Sequence, residues 1–148
     1  MSDFLLVHGS CHGAWAFDRL IPELEALGHT ARAIDLPSHG QDKTPPRDVT
    51  LEAYAKAILA AIDAPTIVVG HSMAGYPLTL AADLAPKRFR RLIYLCAYVP
   101  MAGKSLAVMR RMAPRQPLNG KLVKIAAFIV PLEDNMQEAD EFLLVPYF

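Results

Sequence analysis

Short apolar runs alternate along the chain with longer segments whose apolar residues recur at helical spacing. Four runs are typical of buried strands, and they cover residues 4–7, 30–36, 66–69 and 91–98. Three segments between them carry the apolar stripe of a helix, over residues 15–27, 51–62 and 74–85. Gly28 ends the first of these helices, and Thr50 is a suitable N-cap for the second. The alternation predicts a three-layer α/β fold around a mainly parallel sheet.

The regular alternation stops at Pro100. Residues 105–112 predict a short helix and residues 114–120 a loop, whereas the apolar segment 122–130 fits either a strand or a buried helix. No internal repeat or low-complexity tract is visible. We therefore predict one domain over residues 1–148, with its core in residues 4–100 and about four to five strands in its sheet.

Composition narrows the class of protein. The 148 residues are 53% hydrophobic, and 15 basic side chains balance 15 acidic ones, which argues against a strongly charged nucleic-acid or membrane-surface binder. The basic residues concentrated between positions 87 and 124 are interpreted as solvated surface rather than as a site for an anionic partner. No secretory signal is apparent, and Cys11 and Cys96 are expected to be free thiols. These features predict a cytoplasmic globular protein.

The most informative segment runs from Val68 to Gly75, where a buried strand leads through Ser72 directly into a helix. This context is required for a nucleophile elbow, in which the serine occupies a strained turn between small neighbours. Gly70 satisfies the G-x-S-x-G pattern on one side, but Ala74 occupies the second glycine position and Gly75 follows it. The alternative is a serine that only caps the helix. The residues favour Ser72 as a nucleophile.

A second segment, His8 to Gly13, follows the first predicted strand and opens the first helix. In serine hydrolases with an elbow, the loop at this place supplies one of the two backbone amides of the oxyanion hole. The amide after the nucleophile supplies the other. The order of the two segments along the chain therefore supports one shared site for acyl transfer.

These segments resemble a known family. The runs His8–Trp15, Leu24–His29 and Ala33–Leu36 are similar to those of plant methylesterases, hydroxynitrile lyases and bacterial esterase-like relatives of the α/β-hydrolase superfamily. The resemblance implies that Ser72 is the nucleophile, that the amides of Ser10 and Met73 form the oxyanion hole, and that Cys11 and His12 lie near the pocket wall. In the lyases, threonine usually replaces Gly9 and glutamate precedes the serine. The residues present here, Gly9 and His71, match the esterases.

The proton relay of such an enzyme is incomplete in this sequence. An α/β-hydrolase triad follows the chain order Ser, Asp or Glu, then His, but no histidine follows Ser72; the five are His8, His12, His29, His39 and His71. The resemblance makes Asp134 a tentative acid, with an ordinary surface turn as the alternative. His39 is a conceivable replacement base, but a histidine that bonds its own turn is the favoured interpretation. His71 is expected to point away from the reaction centre.

We therefore predict an incomplete α/β-hydrolase fold with a short or absent lid, and a carboxylic ester hydrolase that acts through Ser72 on a small ester with impaired turnover. The alternatives are a non-catalytic relative that binds a small molecule, or a truncated fragment; hydroxynitrile lyase activity is less favoured. No cofactor, metal, nucleic-acid or membrane partner is expected. If segment 122–130 is helical, the fourth strand keeps an open edge, and a homodimer or an aggregation-prone monomer is expected.

Overall fold

The computed structural model describes residues 1–112 and the backbone of one further strand, residues 127–131. Its five-stranded sheet has the order β2-β1-β3-β4-β5. The strands are β1 (Asp3–Val7), β2 (Thr30–Ile34), β3 (Thr66–His71), β4 (Phe89–Leu95) and β5 (Ala127–Pro131). Strands β1 to β4 are parallel, and β5 is antiparallel to β4. The mainly parallel sheet is confirmed.

The helices agree with the predicted stripes, with shorter bounds. They are α1 (Leu20–Ala26), α2 (Leu51–Ala60), α3 (Gly75–Leu84) and α4 (Leu106–Met112). The first predicted helix is divided: a 3-10 turn covers Ala14–Phe17, and α1 begins three residues later with Pro22 in its first turn, where proline is tolerated. The Thr50 hydroxyl accepts a hydrogen bond from the Ala53 amide at 3.0 Å, which confirms the predicted N-cap.

The core lies on both faces of the sheet. Leu5, Val7 and Val68 point to the face covered by α2 and α3, whereas Leu6 and Val69 point to the face covered by α1. Alternate residues of one strand face opposite sides, so these fully paired strands must be apolar throughout. Each buried leucine or valine contributes about 1.5–3 kcal/mol by leaving water. The predicted three layers are therefore confirmed.

Segment 122–130 contains a strand in its second part. Residues 127–131 pair with β4 from Leu95↔Ala127 to Arg91↔Pro131, so the outer edge of β4 is covered. β4 therefore does not have the open edge from which a homodimer was expected. Self-association of the protein stays a prediction. Residues 113–126 and 132–148, which include Asp134, lie outside the described residues. Within the described part, no helix is both long and apolar enough to cross a membrane.

A buried histidine links the segments that follow β1 and β2. His8 is fully buried; its Nε2 accepts the Leu36 amide proton at 3.0 Å, and its Nδ1 lies 2.8 Å from the Gly9 carbonyl oxygen. Because a carbonyl only accepts, Nδ1 carries the proton and the ring is neutral. Burial lowers the pKa of His8, since the charged form loses its hydration.

The His8 arrangement predicts acid sensitivity. A histidine with a lowered folded-state pKa binds fewer protons when folded, so the free energy of unfolding should fall as the pH drops below the ordinary value of 6.5. We expect His8→Phe to weaken this dependence and to cost about 1–3 kcal/mol for each buried group left unpaired. Urea unfolding between pH 5 and about pH 8 measures both effects, over the window in which histidine titrates.

The control is His29→Phe, which removes an imidazole beside Phe4 at the opposite end of the sheet. This variant should keep the part of the pH dependence of the unfolding free energy that comes from His8. If the pH dependence of the unfolding free energy is unchanged in His8→Phe, the assignment of His8 as a neutral ring with two hydrogen bonds is contradicted.

Candidate active site

Ser72 occupies a sharp turn at the carboxyl end of the parallel sheet. Strand β3 ends at His71, residues Ser72–Ala74 form a 3-10 turn, and α3 begins at Gly75. The φ angle of Ser72 is 54°, in the left-handed region that costs a residue with a Cβ about 1–2 kcal/mol. The chain therefore holds this serine in a conformation that it would not adopt alone, as a nucleophile elbow requires.

The residues beside the serine are small because backbone passes close to them. A Cβ at Gly70 would lie 2.9 Å from Leu78 Cδ2 and 3.3 Å from the Ala74 carbonyl group. Ala74 is buried at the end of the turn, so a methyl group is accommodated at that position. Such contacts leave no room for a larger side chain at residue 70.

The segment after β4 explains why Gly75 follows Ala74. The Tyr98 amide donates a hydrogen bond to the Ser72 carbonyl oxygen at 3.0 Å. A side chain at Gly75 would collide with the carbonyl oxygen of Tyr98. A glycine is therefore needed at position 75, one place later than in the usual motif, because the segment after β4 approaches the backbone there.

The loop after β1 lies directly against the serine. A Cβ at Gly9 would lie 2.8 Å from Ser72 Cβ, 3.1 Å from His71 Nδ1 and 3.2 Å from the His71 carbonyl oxygen. Ser72 is partly buried beneath this loop, whereas Ser10 is exposed at its surface and Met73 packs partly buried against the core. The fold thus brings the two segments that sequence analysis singled out to one edge of the sheet.

One carboxylate fixes two of the loops around the site. Asp35, just after β2, accepts the Ala14 amide proton on Oδ1 at 2.6 Å and the Gln41 amide proton on Oδ2 at 2.8 Å. These bonds, that from Gln41 foremost, hold the pKa of Asp35 below its ordinary value because they favour the charged form. Asp35 was not among the site residues that the sequence pattern predicts. An acid immediately after a strand at the carboxyl edge of the sheet was the available signal.

The histidines near the site have separate environments. His39 Nδ1 lies 3.0 Å from the Pro37 carbonyl oxygen and 3.4 Å from the Tyr54 hydroxyl. This histidine therefore bonds its own turn and Tyr54 of α2. His71 is partly buried with its ring 6.0 Å from that of His12. Burial lowers the pKa of His71, which favours its neutral form near pH 7.

Asp134, the candidate acid, lies outside the described residues. Among the residues that the structure describes, no group of three or more histidines, cysteines, aspartates and glutamates is arranged to hold a metal ion. The described residues place the Ser72 hydroxyl group beside the backbone of the loop after β1.

Comparison with known proteins defines the class. The model of an alpha/beta hydrolase family matches residues 4–145. Methylesterase 4 of Arabidopsis thaliana is 38% identical over 104 residues, which are 66% of this chain and 40% of that protein. Esterase PIR7B of Oryza sativa subsp. japonica is 36% identical, over 75% of this chain and 46% of its own length. The chain belongs to the alpha/beta hydrolase family.

Solved structures agree with this assignment. The structure of polyneuridine aldehyde esterase superposes with a TM-score of 0.67 at 30% identity, covering 78% of this chain and 49% of that one. An extracellular alpha/beta-hydrolase from a Paenibacillus species gives 0.66 at 32% identity, covering 71% of this chain and 44% of its own. This chain therefore spans between two fifths and half of the length of the relatives described here.

The strain at Ser72 is measurable by substitution. Ser72→Ala keeps the Cβ and therefore keeps the energetic cost of the left-handed backbone. Ser72→Gly removes this cost, and its one disadvantage is the larger backbone entropy of glycine in the unfolded chain. We expect Ser72→Gly to be more stable than Ser72→Ala by about 0.5–1 kcal/mol in urea unfolding. The matched control is Ala74→Gly, at φ −59° in the same turn, which should be destabilising. A less stable Ser72→Gly would contradict the strained turn.

Proposed function

We propose that this protein is a carboxylic ester hydrolase that transfers the acyl group of a small ester through Ser72. The observation that carries the proposal is the left-handed Ser72, at φ 54°, packed against the backbone of Gly9. A strained serine beside the loop after the first strand is the arrangement by which elbow hydrolases place a hydroxyl next to two amide donors. The esterase relatives support the same reaction class.

The proposed roles follow from the chemistry of acyl transfer. The Ser72 Oγ attacks the ester carbonyl carbon, and the amides of Ser10 and Met73 bind the oxyanion that forms. The C–O bond to the alcohol then breaks, the alcohol leaves with a proton, and water hydrolyses the acyl-enzyme. Preorganised amide donors act without reorganising during the reaction; removing one oxyanion-hole donor from such an enzyme costs about 10²–10³ in kcat.

The proton relay limits the proposed activity. No histidine follows Ser72 in the sequence, and Asp134 stays a proposed acid. Loss of the serine or the histidine of a serine hydrolase costs about 2 × 10⁶ in kcat, while the oxyanion hole and binding alone retain about 10³–10⁴ over water. For residues 1–148 acting alone, we therefore propose slow turnover with a serine that still reacts covalently.

Two observations favour an esterase over a lyase. Gly9 has no room for a side chain, since a Cβ there would meet Ser72 Cβ at 2.8 Å, and the lyases that the chain resembles usually carry threonine at this position. His71, rather than glutamate, precedes the serine.

We further propose a cytoplasmic location, in keeping with the two free, exposed cysteines, and an enzyme that needs no cofactor.

The second candidate is a relative that binds a small acid or ester in the same pocket without turning it over. Residues 73–148 contain no histidine, which favours this candidate for residues 1–148 acting alone. The two candidates differ in one property, which is whether the Ser72 hydroxyl reacts covalently.

A fluorophosphonate probe tests that property. We expect the probe to label wild-type protein at Ser72, as located by peptide mass spectrometry, and p-nitrophenyl acetate to be cleaved faster than in buffer. Labelling should vanish in Ser72→Ala, because the nucleophilic oxygen is removed, whereas cleavage assisted by the oxyanion hole alone should remain. Ser10→Ala is the matched control; it loses a hydroxyl group nearby but keeps the backbone amide, and should remain reactive.

Folding of each variant is checked by circular dichroism. No labelling of folded wild-type protein would reject the hydrolase and leave the binding protein. Equal labelling of wild type and Ser72→Ala would reject Ser72 as the nucleophile.

A further inference from the structure

The loop that carries the proposed oxyanion donor is bridged by a side chain from the same loop. His12 Nδ1 lies 2.8 Å from the Ser10 carbonyl oxygen. A carbonyl oxygen only accepts, so Nδ1–H is the donor. The bridge therefore joins a residue of the proposed oxyanion hole to an imidazole two positions along the chain.

The residue under this bridge has an unfavourable backbone. Cys11 has a φ angle of 60°, in the left-handed region that is unfavourable for a residue with a Cβ. A hydrogen bond across the turn offsets part of this cost. The His12 bond thus stabilises the local conformation that sets the direction of the chain at Ser10.

The His12 ring is itself held from two sides. It stacks on Trp15 with 5.5 Å between ring centroids and 28° between planes. Its other neighbour is His71, whose ring stands at 89° to it and 6.0 Å away. His71 immediately precedes Ser72, so His12 contacts both the loop after β1 and the end of β3. A side chain with contacts on both segments fixes their relative position more firmly than the loop bond alone.

We propose that His12 is a positioning residue for the oxyanion hole: its Nδ1–H bond to the Ser10 carbonyl oxygen, and its ring packing between Trp15 and His71, hold the Ser10 amide in place beside Ser72. This inference rests on the proposed function, since it gives the loop a role only if Ser72 is acylated. His12 acts through Ser10 and does not take the serine proton.

Two substitutions separate the parts of this role. His12→Asn keeps a short N–H donor near the place of Nδ1, whereas His12→Leu removes the donor and keeps an apolar side chain. We expect His12→Leu to lower the rate constant of fluorophosphonate labelling at least tenfold at saturating probe, with little change in the probe concentration for half-maximal rate. His12→Asn should recover to within threefold of wild type. Loss in the rate constant alone is expected for a group that orients a donor used in the transition state.

The matched control is His39→Leu. His39 also bonds a carbonyl oxygen two residues before it, that of Pro37 at 3.0 Å, but in the loop after β2. His39→Leu makes the same chemical change in the same kind of turn and should label at the wild-type rate. Loss of labelling in His39→Leu equal to that in His12→Leu would overturn the specific role of His12.

A spectroscopic measurement supports the kinetics without depending on them. Long-range ¹H–¹⁵N spectra of wild-type protein should show a proton on Nδ1 of His12, and the Ser10 amide signal should move in His12→Leu but little in His12→Asn. A ring with its proton on Nε2 and none on Nδ1 would overturn the proposal even if His12→Leu failed to fold.

The outcomes distinguish the two proposals. Absence of labelling in wild-type protein would reject the proposed hydrolase, and the role of His12 with it. Labelled wild type with an equally fast His12→Leu would reject only the role of His12.

Discussion

The site depends on one backbone conformation that the rest of the structure imposes. Ser72 has a left-handed backbone, and three contacts hold it in that conformation. The loop at Gly9 packs against Ser72, the start of α3 packs over Gly70, and the Tyr98 amide donates a hydrogen bond to the Ser72 carbonyl oxygen. Each contact comes from a different segment of the chain. The cost of the turn, about 1–2 kcal/mol, is therefore met by tertiary structure and not by local propensity.

The parallel sheet explains why these segments meet. Strands β1, β3 and β4 are adjacent and point the same way, so the loops that follow them emerge at one edge. Gly9, Ser72 and Tyr98 each lie a few residues beyond the end of one of these strands. The buried leucines and valines of the strands thus determine the site indirectly, because they fix the register that brings the three loops together.

Much of this was accessible from the amino-acid sequence. The four apolar runs predicted β1 to β4, and Thr50 predicted the start of α2, because strand burial and capping are local signals. The small residues around Ser72 predicted the turn. The pattern did not indicate that Gly75 faces Tyr98 or that Asp35 bonds Ala14 and Gln41, since these contacts join residues distant in sequence. The division of the first helix was also missed, because Trp15 and Phe17 continue the apolar spacing across the break.

The Asp35 carboxylate has a consequence for how substitutions in this protein should be interpreted. The turn at Ala14 is bound to one oxygen of this carboxylate and the turn at Gln41 to the other, so a rearrangement of either turn changes the attachment of the other. The loop after β2 is exposed at Gly40 and Gln41, and surface loops usually tolerate sequence change. In this molecule that tolerance is restricted: a replacement on the rim that looks remote from the chemistry is linked through a single side chain to the segment lying over the serine.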